Sequence, residues 1–248
     1  MGGALAEGLL KAPSAEQNSI TIADPSDEVV RRFAETDASV TTDNTAAASE
    51  ADIVAVVVKP WLVESVLKEI RSALKPERQM LIVVAAGIKA EQVSEWLGDR
   101  RLPFFLVIPN IAIAYRQSMT FVVPCGTSKE QTATVRTLFD ELGQAIITEE
   151  RLLPAGTTLA SCGIAYALRY VRAATEGGIE MGFRAKEAER IVAQTVKGAV
   201  ELLQQSGSHP ESLVDQVCTP GGVTIRGLNE MEHAGFTSSV IRGLKAGL

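Results

Sequence analysis

Histidine, cysteine and aromatic residues are scarce in this chain of 248 residues: 2 His, 3 Cys, and 5% Phe, Trp and Tyr together. Cys125, Cys162 and Cys218 are widely spaced and odd in number, which argues against a disulfide framework or a zinc site. No apolar run reaches the roughly 18 residues that a membrane helix needs, and the N-terminus lacks the charged and apolar regions of a signal peptide. The net charge is −6 and no basic cluster occurs, so neither nucleic acid nor an anionic membrane is an expected partner. These absences point to a cytoplasmic protein with reduced thiols. The 46% hydrophobic content is aliphatic and alanine-rich, enough for one large core or two smaller ones.

The most informative stretch lies near the end, at residues 217–228, V-C-T-P-G-G-V-T-I-R-G-L. Pro220 cannot occupy a helix interior, and Gly221-Gly222 permits positive φ and close approach of a ligand to the backbone. Helical spacing resumes at once over 223–234, with apolar Ile225, Leu228 and Met231 at i, i+3 and i+6. A glycine-rich turn feeding a helix start presents unpaired N–H groups at the positive end of the helix dipole, which suits an anion. Thr219 and Thr224 place a hydroxyl on each side. A helix cap beside a tight turn draws on the same residue types and is the competing reading.

The first 150 residues alternate short apolar runs with helical spacing. Strands are predicted at 19–23, 39–42, 51–58, 80–85, 104–108, 119–123 and 145–148, with helices at 27–35, 61–74, 89–97 and 128–142 between them. The runs A-D-I-V-A-V-V-V and M-L-I-V-V-A are nearly all apolar, as buried parallel strands are. The pattern is that of an α/β fold with a Rossmann-like doubly wound sheet. Beyond residue 150 only helical spacing remains, at 158–176, 185–206, 210–217, 223–234 and 238–246. Residues 1–150 are therefore read as a dinucleotide-binding domain and 151–248 as an all-α domain. Ile191, Val192, Thr195, Val196, Ala199 and Val200 give the second of these helices a wide apolar face, suited to a helix or a partner subunit.

The opening M-G-G-A-L-A-E-G-L-L reads as the start of a helix, and the run at 19–23 ends at Asp24. A dinucleotide-binding unit needs a strand, glycines, a helix start for the pyrophosphate, and an acid roughly 20 residues on for the ribose hydroxyls. The helix, the second strand and the acid fit. The first strand and first two glycines are expected upstream of Met1. A turn residue before Pro25 is the alternative reading of Asp24.

Several blocks, taken in order over essentially the full length, resemble the pyrroline-5-carboxylate reductases. The opening block resembles the tail of that family's G-x-G-N-M-G, making Gly2 the third fingerprint glycine. Asn44 falls where the family has an asparagine that contacts the adenosine part of the cofactor. V-V-K-P, containing Val58, Lys59 and Pro60, and A-A-G-I, containing Ala86 and Gly87, match loops that line the nicotinamide side. I-P-N, with Pro109 and Asn110, matches M-P-N. Gln194-Thr195 with Gly198-Ala199 matches a helix motif, and residues 209–224 match the substrate loop, the strongest motif of the set. Three blocks depart from the pattern. Leu106, Ile111 and Ala112 replace an arginine and a threonine-proline, A-S-C-G-I-A-Y at 160–166 replaces S-G-S-G-P-A-Y, and T-P-G-G-V-T replaces S-P-G-G-T-T.

The resemblance implies hydride transfer from NADPH or NADH to C5 of a cyclic imine that bears a carboxylate, with no metal. It implies that Thr219, Gly221, Gly222, Val223 and Thr224 hold the substrate, and that Thr224 donates to the imine nitrogen. Gly2, Asp24, Asn44 and the three loop blocks would hold the cofactor, and the helical domain would form a homodimer or a larger homo-oligomer. Asp24 favours NADH, because an acid at this place repels a 2′-phosphate and no arginine follows it until Arg31. Two other readings stand beside this one: a cofactor-binding paralogue without catalysis, and a related two-domain reductase or hydroxyacid dehydrogenase. The last needs a lysine on the long helix at 160–176, which has Arg169 and Arg172 instead. His209 and His233 read as surface or capping residues, Cys162 as a buried packing residue, and Tyr166 as a packing residue. Arg116 is either a substitute for the absent arginine or a solvated loop residue.

Overall fold

The computed structural model describes residues 1–98 and 102–248. They form two compact units, Met1–Ser161 and Cys162–Leu248.

In the first unit, helices and strands follow in the order α1 (Gly2–Leu9), β1 (Thr21–Ala23), α2 (Asp27–Phe33), β2 (Ser39–Thr41), α3 (Asn44–Glu50), β3 (Ile53–Val56), α4 (Pro60–Ile70), β4 (Met80–Val83), α5 (Ala90–Leu97) and β5 (Phe104–Ile108). A 3-10 helix, Ile111–Tyr115, leads to β6 (Ser118–Cys125), α6 (Lys129–Asp140), β7 (Gly143–Ile147) and α7 (Leu153–Gly156). β1 and β2 form a parallel pair, and the other strands form one sheet in the order β3-β4-β5-β6-β7. Among the described residues no ladder joins β1 to β3.

Both faces of the larger sheet are covered, as a doubly wound sheet requires. Leu81 and Val83 of β4 and Phe104 and Leu106 of β5 point to one core, with Val63 and Leu67 of α4 and Val93 of α5. The alternate residues Ile82, Phe105 and Val107 point to the other, with Leu5 of α1 and Val135 and Phe139 of α6. Phe105 and Val107 are fully buried, and each such side chain contributes about 1.5–3 kcal/mol relative to exposure.

One pairing departs from the all-parallel pattern: β5 and β6 are antiparallel, Phe104 opposite Cys125 and Ile108 opposite Phe121. A parallel return needs a crossover of a dozen or more residues, and the link from Ile108 to Ser118 is too short for one. The 3-10 helix fills it and ends at Arg116, the one non-glycine residue with positive φ (58°) among those described. Arg116 Nε donates to the Glu141 carbonyl at 2.9 Å, so this arginine closes the turn and is not a solvated loop residue. The α1 helix passes this link so closely that a Cβ on Gly8 would lie 2.4 Å from the Ile113 carbonyl oxygen.

After Gly156 a π-turn, Thr157–Cys162, precedes the second unit. Cys162 is half-buried there, not enclosed in a core helix. The second unit holds α8 (Gly163–Glu180), α9 (Ala185–Ser206), α10 (Pro210–Val217), α11 (Val223–His233) and α12 (Phe236–Lys245). α8 and α9 cross where a Cβ on Gly178 would lie 2.9 Å from the Ala188 Cβ. The expected packing role of Tyr166 is not what the fold shows: the side chain is 42% exposed and its hydroxyl reaches the Gly243 carbonyl at 3.5 Å. His209 caps α10 through Nδ1, which accepts the Glu211 N–H at 3.3 Å.

Candidate functional site

In the first unit the parallel pairing of β3, β4 and β5 puts their carboxyl ends on one edge of the sheet. Ligands of open α/β sheets bind outside that edge. Val58, Lys59 and Pro60 follow β3, Ala86 and Gly87 follow β4, and Pro109 and Asn110 follow β5, so the topology gathers all three predicted loop blocks. Pro60 opens α4, where a missing N–H costs nothing, and Lys59 is its exposed N-cap residue. Gly87 has φ +77°, and a side chain there would meet nothing within 4 Å. The residue is glycine because of its backbone conformation and not for lack of room.

Gly2 starts α1 beside the same edge: a Cβ on it would lie 3.5 Å from the Val57 carbonyl oxygen. The first turn of α1 carries no acid and no side-chain cap. Glycine, glycine and alanine in that turn leave its N–H groups accessible at the positive end of the dipole, so the residues present suit a dinucleotide's pyrophosphate.

Asp24 lies at the carboxyl end of β1, and its N–H donates to the Thr41 carbonyl at 3.1 Å. Its Oδ1 accepts the Ser26 N–H at 2.9 Å. Asp24 is thus a turn residue as well as an acid at the strand end, and the two readings of it are compatible. Asn44 opens α3, with its amide nitrogen 3.1 Å from one carboxylate oxygen of Glu69, while the N-cap is Asp43, whose Oδ1 accepts the Ala46 N–H.

Asn110 is held more tightly than its motif suggests. It is 4% exposed. Its N–H donates to Ser118 Oγ at 3.0 Å, its Oδ1 accepts the Ala112 N–H at 3.0 Å, and its Nδ2 points to the Ala160 carbonyl at 3.4 Å. Ser161 Oγ donates to the Pro109 carbonyl at 3.0 Å, and Thr120 Oγ1 donates to Ser118 Oγ at 3.0 Å. Ser118, Thr120 and Ser161 brace this loop, and sequence reasoning missed all three. One signal was available: Ser118 and Thr120 are polar at buried alternate positions of an otherwise apolar strand.

In the second unit, Thr219-Pro220-Gly221-Gly222 is a turn closed by the Gly222 N–H on the Thr219 carbonyl at 2.9 Å. Gly221 has φ +69°, which its third position requires after proline at the second. A Cβ on Gly222 would fall 2.4 Å from Thr219 Oγ1, so the threonine hydroxyl is folded over the glycine. Gly222 is the N-cap of α11, whose first turn, Val223 and Thr224 included, has no acid and no side-chain cap. The turn and the helix start thus present the Thr219 hydroxyl and free N–H groups together.

A Rossmann-like unit with a phosphate-ready helix start, and a helical unit with an anion-ready turn, define a two-domain dinucleotide-dependent oxidoreductase. Residues 1–87 match the family model of NADP oxidoreductase, coenzyme F420-dependent, and residues 150–248 match that of pyrroline-5-carboxylate reductase dimerisation. The chain is 37% identical to pyrroline-5-carboxylate reductase 1 of Dictyostelium discoideum over 98% of its own length and 46% of the relative's. It is 33% identical to pyrroline-5-carboxylate reductase 2 of the same organism, over 98% of this chain and 86% of that one. The solved 1-pyrroline-5-carboxylate reductase of Streptococcus pyogenes is 29% identical with a TM-score of 0.85, over 99% of this chain and 92% of that one. The chain belongs to the pyrroline-5-carboxylate reductase family.

Proposed function

We propose that the protein reduces 1-pyrroline-5-carboxylate to L-proline with NADPH or NADH. Family membership sets the reaction, and the observation that carries it to named residues is the Thr219–Gly222 turn opening onto the uncapped start of α11. The N–H groups of Val223 and Thr224, with the Thr219 hydroxyl, hold the substrate carboxylate, while the Gly222 N–H closes the turn on the Thr219 carbonyl. Gly221 supplies the left-handed residue that shapes the turn. Thr224 donates a hydrogen bond to the ring nitrogen, which gains electron density as C5 is reduced. A threonine is a weak general acid, so positioning accounts for most of the catalysis.

The reduced nicotinamide supplies the hydride when bound. Gly2 at the start of α1 holds the pyrophosphate, Asp24 the adenosine ribose, and Asn44 the adenosine side. Val58, Lys59, Pro60, Ala86, Gly87, Pro109 and Asn110 form the wall of the nicotinamide side, with Asn110 acting mainly through the loop it braces. Residues 1–150 are the dinucleotide-binding part and 151–248 the substrate and dimerisation part.

The protein works as a homodimer or a larger homo-oligomer. In support, α8 and α9 bury only Thr175, Gly178 and Ala188, while Ile191, Val200 and Leu202 of α9 and Val240 and Ile241 of α12 are exposed. So much apolar surface on one unit calls for a partner. Three unpaired cysteines support a reducing compartment such as the cytosol.

The test is NADH and NADPH oxidation with and without pyrroline-5-carboxylate, in wild type and Thr224→Val. Imine-dependent turnover is expected, with kcat/KM lowered roughly ten- to a thousandfold in the variant, the scale of one well-aimed donor. Cofactor binding without turnover in the wild type moves the assignment to a non-catalytic paralogue.

A further inference from the structure

We propose that Arg226 is a substrate-positioning residue: its guanidinium supplies the positive charge that draws the substrate carboxylate onto the N–H groups of Val223 and Thr224. The inference rests on the reductase reading and deepens it by one residue. Neutral N–H groups and a hydroxyl give a carboxylate its direction, whereas a full charge acts further out, before contact is made. From residue 198 to residue 241 the chain carries five acids, Glu201, Glu211, Asp215, Glu230 and Glu232, and one Lys or Arg, which is Arg226. An anion approaching this segment is attracted by that one side-chain charge.

Arg226 is the fourth residue of α11, and two preferences of a free helix argue against the place and direction of its side chain. A cation so near a helix start faces the positive end of the dipole, which is unfavourable. An acid, Glu230, stands at i+4, where an ion pair is available. The guanidinium does not take it. Its Nε donates to the Gly222 carbonyl at 3.3 Å, one turn back, while Glu230 lies 3.6 Å from Nδ1 of His233. Gly222 is the N-cap residue that joins the turn to the helix, and the Thr219 hydroxyl is folded over it. The bond to its carbonyl therefore carries the charge to the place where that hydroxyl and the first N–H groups of α11 meet. Arg226 is exposed, and its Nη groups have no hydrogen-bond partner among the described residues. A charge held against the dipole, with an acid of its own helix left to a histidine, is accounted for by an anion in the turn.

Arg226→Gln removes the charge and keeps an N–H donor, and Arg226→Lys keeps the charge. The probes are cyclopentanecarboxylate and cyclopentanecarboxamide, which share the substrate's ring size and differ in charge. Their dissociation constants are read by ligand-observed NMR with NADPH present. In Arg226→Gln the carboxylate is expected to bind about fivefold more weakly or worse, the effect of a unit charge roughly 4 Å away under bulk-water screening. The carboxamide should be held as in the wild type. KM for pyrroline-5-carboxylate should rise by a similar factor with kcat within about twofold, and carboxylate affinity should fall less steeply with added salt than in the wild type. Arg226→Lys should recover most of the loss. Unchanged carboxylate binding in Arg226→Gln, or equal weakening of both probes, overturns the proposal and leaves the arginine as a helix cap. A wild type that binds the carboxylate but does not turn over pyrroline-5-carboxylate overturns the reductase reading alone, and one that binds no carboxylate overturns both.

Discussion

Replacing Ser118 with alanine tests whether the Asn110 loop is braced as the structure describes. Ser118 is 2% exposed and its Oγ accepts two hydrogen bonds, from the Asn110 N–H and from Thr120 Oγ1, each at 3.0 Å. Thr120 is fully buried and Asn110 nearly so, and water cannot replace the lost acceptor without opening the β5–β6 connection. An unsatisfied buried polar group costs about 1–3 kcal/mol, so two orphaned donors give roughly 2–4 kcal/mol once some relaxation of the Thr120 hydroxyl is allowed. For a chain of this length each kcal/mol shifts Tm by about 2–4 °C, and a fall of roughly 5–12 °C is expected by calorimetry. Thr120→Val provides the internal comparison. It removes one donor and leaves Ser118 bonded to Asn110, for a cost of about 1 kcal/mol. Because the same serine positions the loop assigned to the nicotinamide side, Ser118→Ala should also weaken dinucleotide binding while Thr120→Val does so less. A Ser118→Ala Tm within 1 °C of wild type, or equal effects of the two substitutions, would refute the bracing argument.

Two further outcomes follow from groups outside the site. Gln79 is 1% exposed, and its amide bonds the Lys75 N–H at 2.6 Å, the Ala48 carbonyl at 2.8 Å and the Ala51 carbonyl at 2.5 Å. Gln79→Leu should lower stability by about 3–5 kcal/mol in urea denaturation, with kcat/KM unchanged in the folded protein; a loss under 1 kcal/mol would mean that the three groups find other partners. The Cys125 thiol is pushed from an ordinary 9.0 to about 11, first by burial and then by the nearby Glu150 carboxylate. The folded protein therefore holds this proton to higher pH than the unfolded chain does. The stability it gives, complete below pH 9, is lost as pH rises towards 11. Cys125→Ala should flatten denaturation midpoints over that window, and iodoacetamide at pH 8 should alkylate this half-buried thiol slowly. Alkylation of that residue as fast as that of a free thiol would contradict the upward shift.

How much of the molecule was legible beforehand follows from where each determinant lies. The apolar runs of β4 and β5 and the helical spacing beyond residue 150 are readable within a few residues. So is the turn at 219–222, because proline followed by glycine admits few backbone shapes. The short helix α3 went unread, since seven residues of mostly alanine, serine and threonine give no periodic face. The π-turn at 157–162 likewise has no local signature. The antiparallel return of β6 could have been inferred from the length of its connection.

The sequence by itself determined the buried strands and the long helices of the two units, the glycine-proline chemistry of the turn before α11, and the ordered motifs that mark the family. Those depend on sterics and hydrogen bonds among near neighbours in the chain. Only the tertiary structure decided what several candidate residues do. Asn110 became a buried bracket through Ser118 and Ala160, Arg116 a turn closure through Glu141, and Asp24 both a turn acceptor and a strand-end carboxylate. For Asn110 and Arg116 the deciding partner lies well away along the chain; for Asp24 it is the placement of the turn at the end of a paired strand. A side chain's role is fixed by which groups are brought within hydrogen-bond reach, and that is a property of the packed chain.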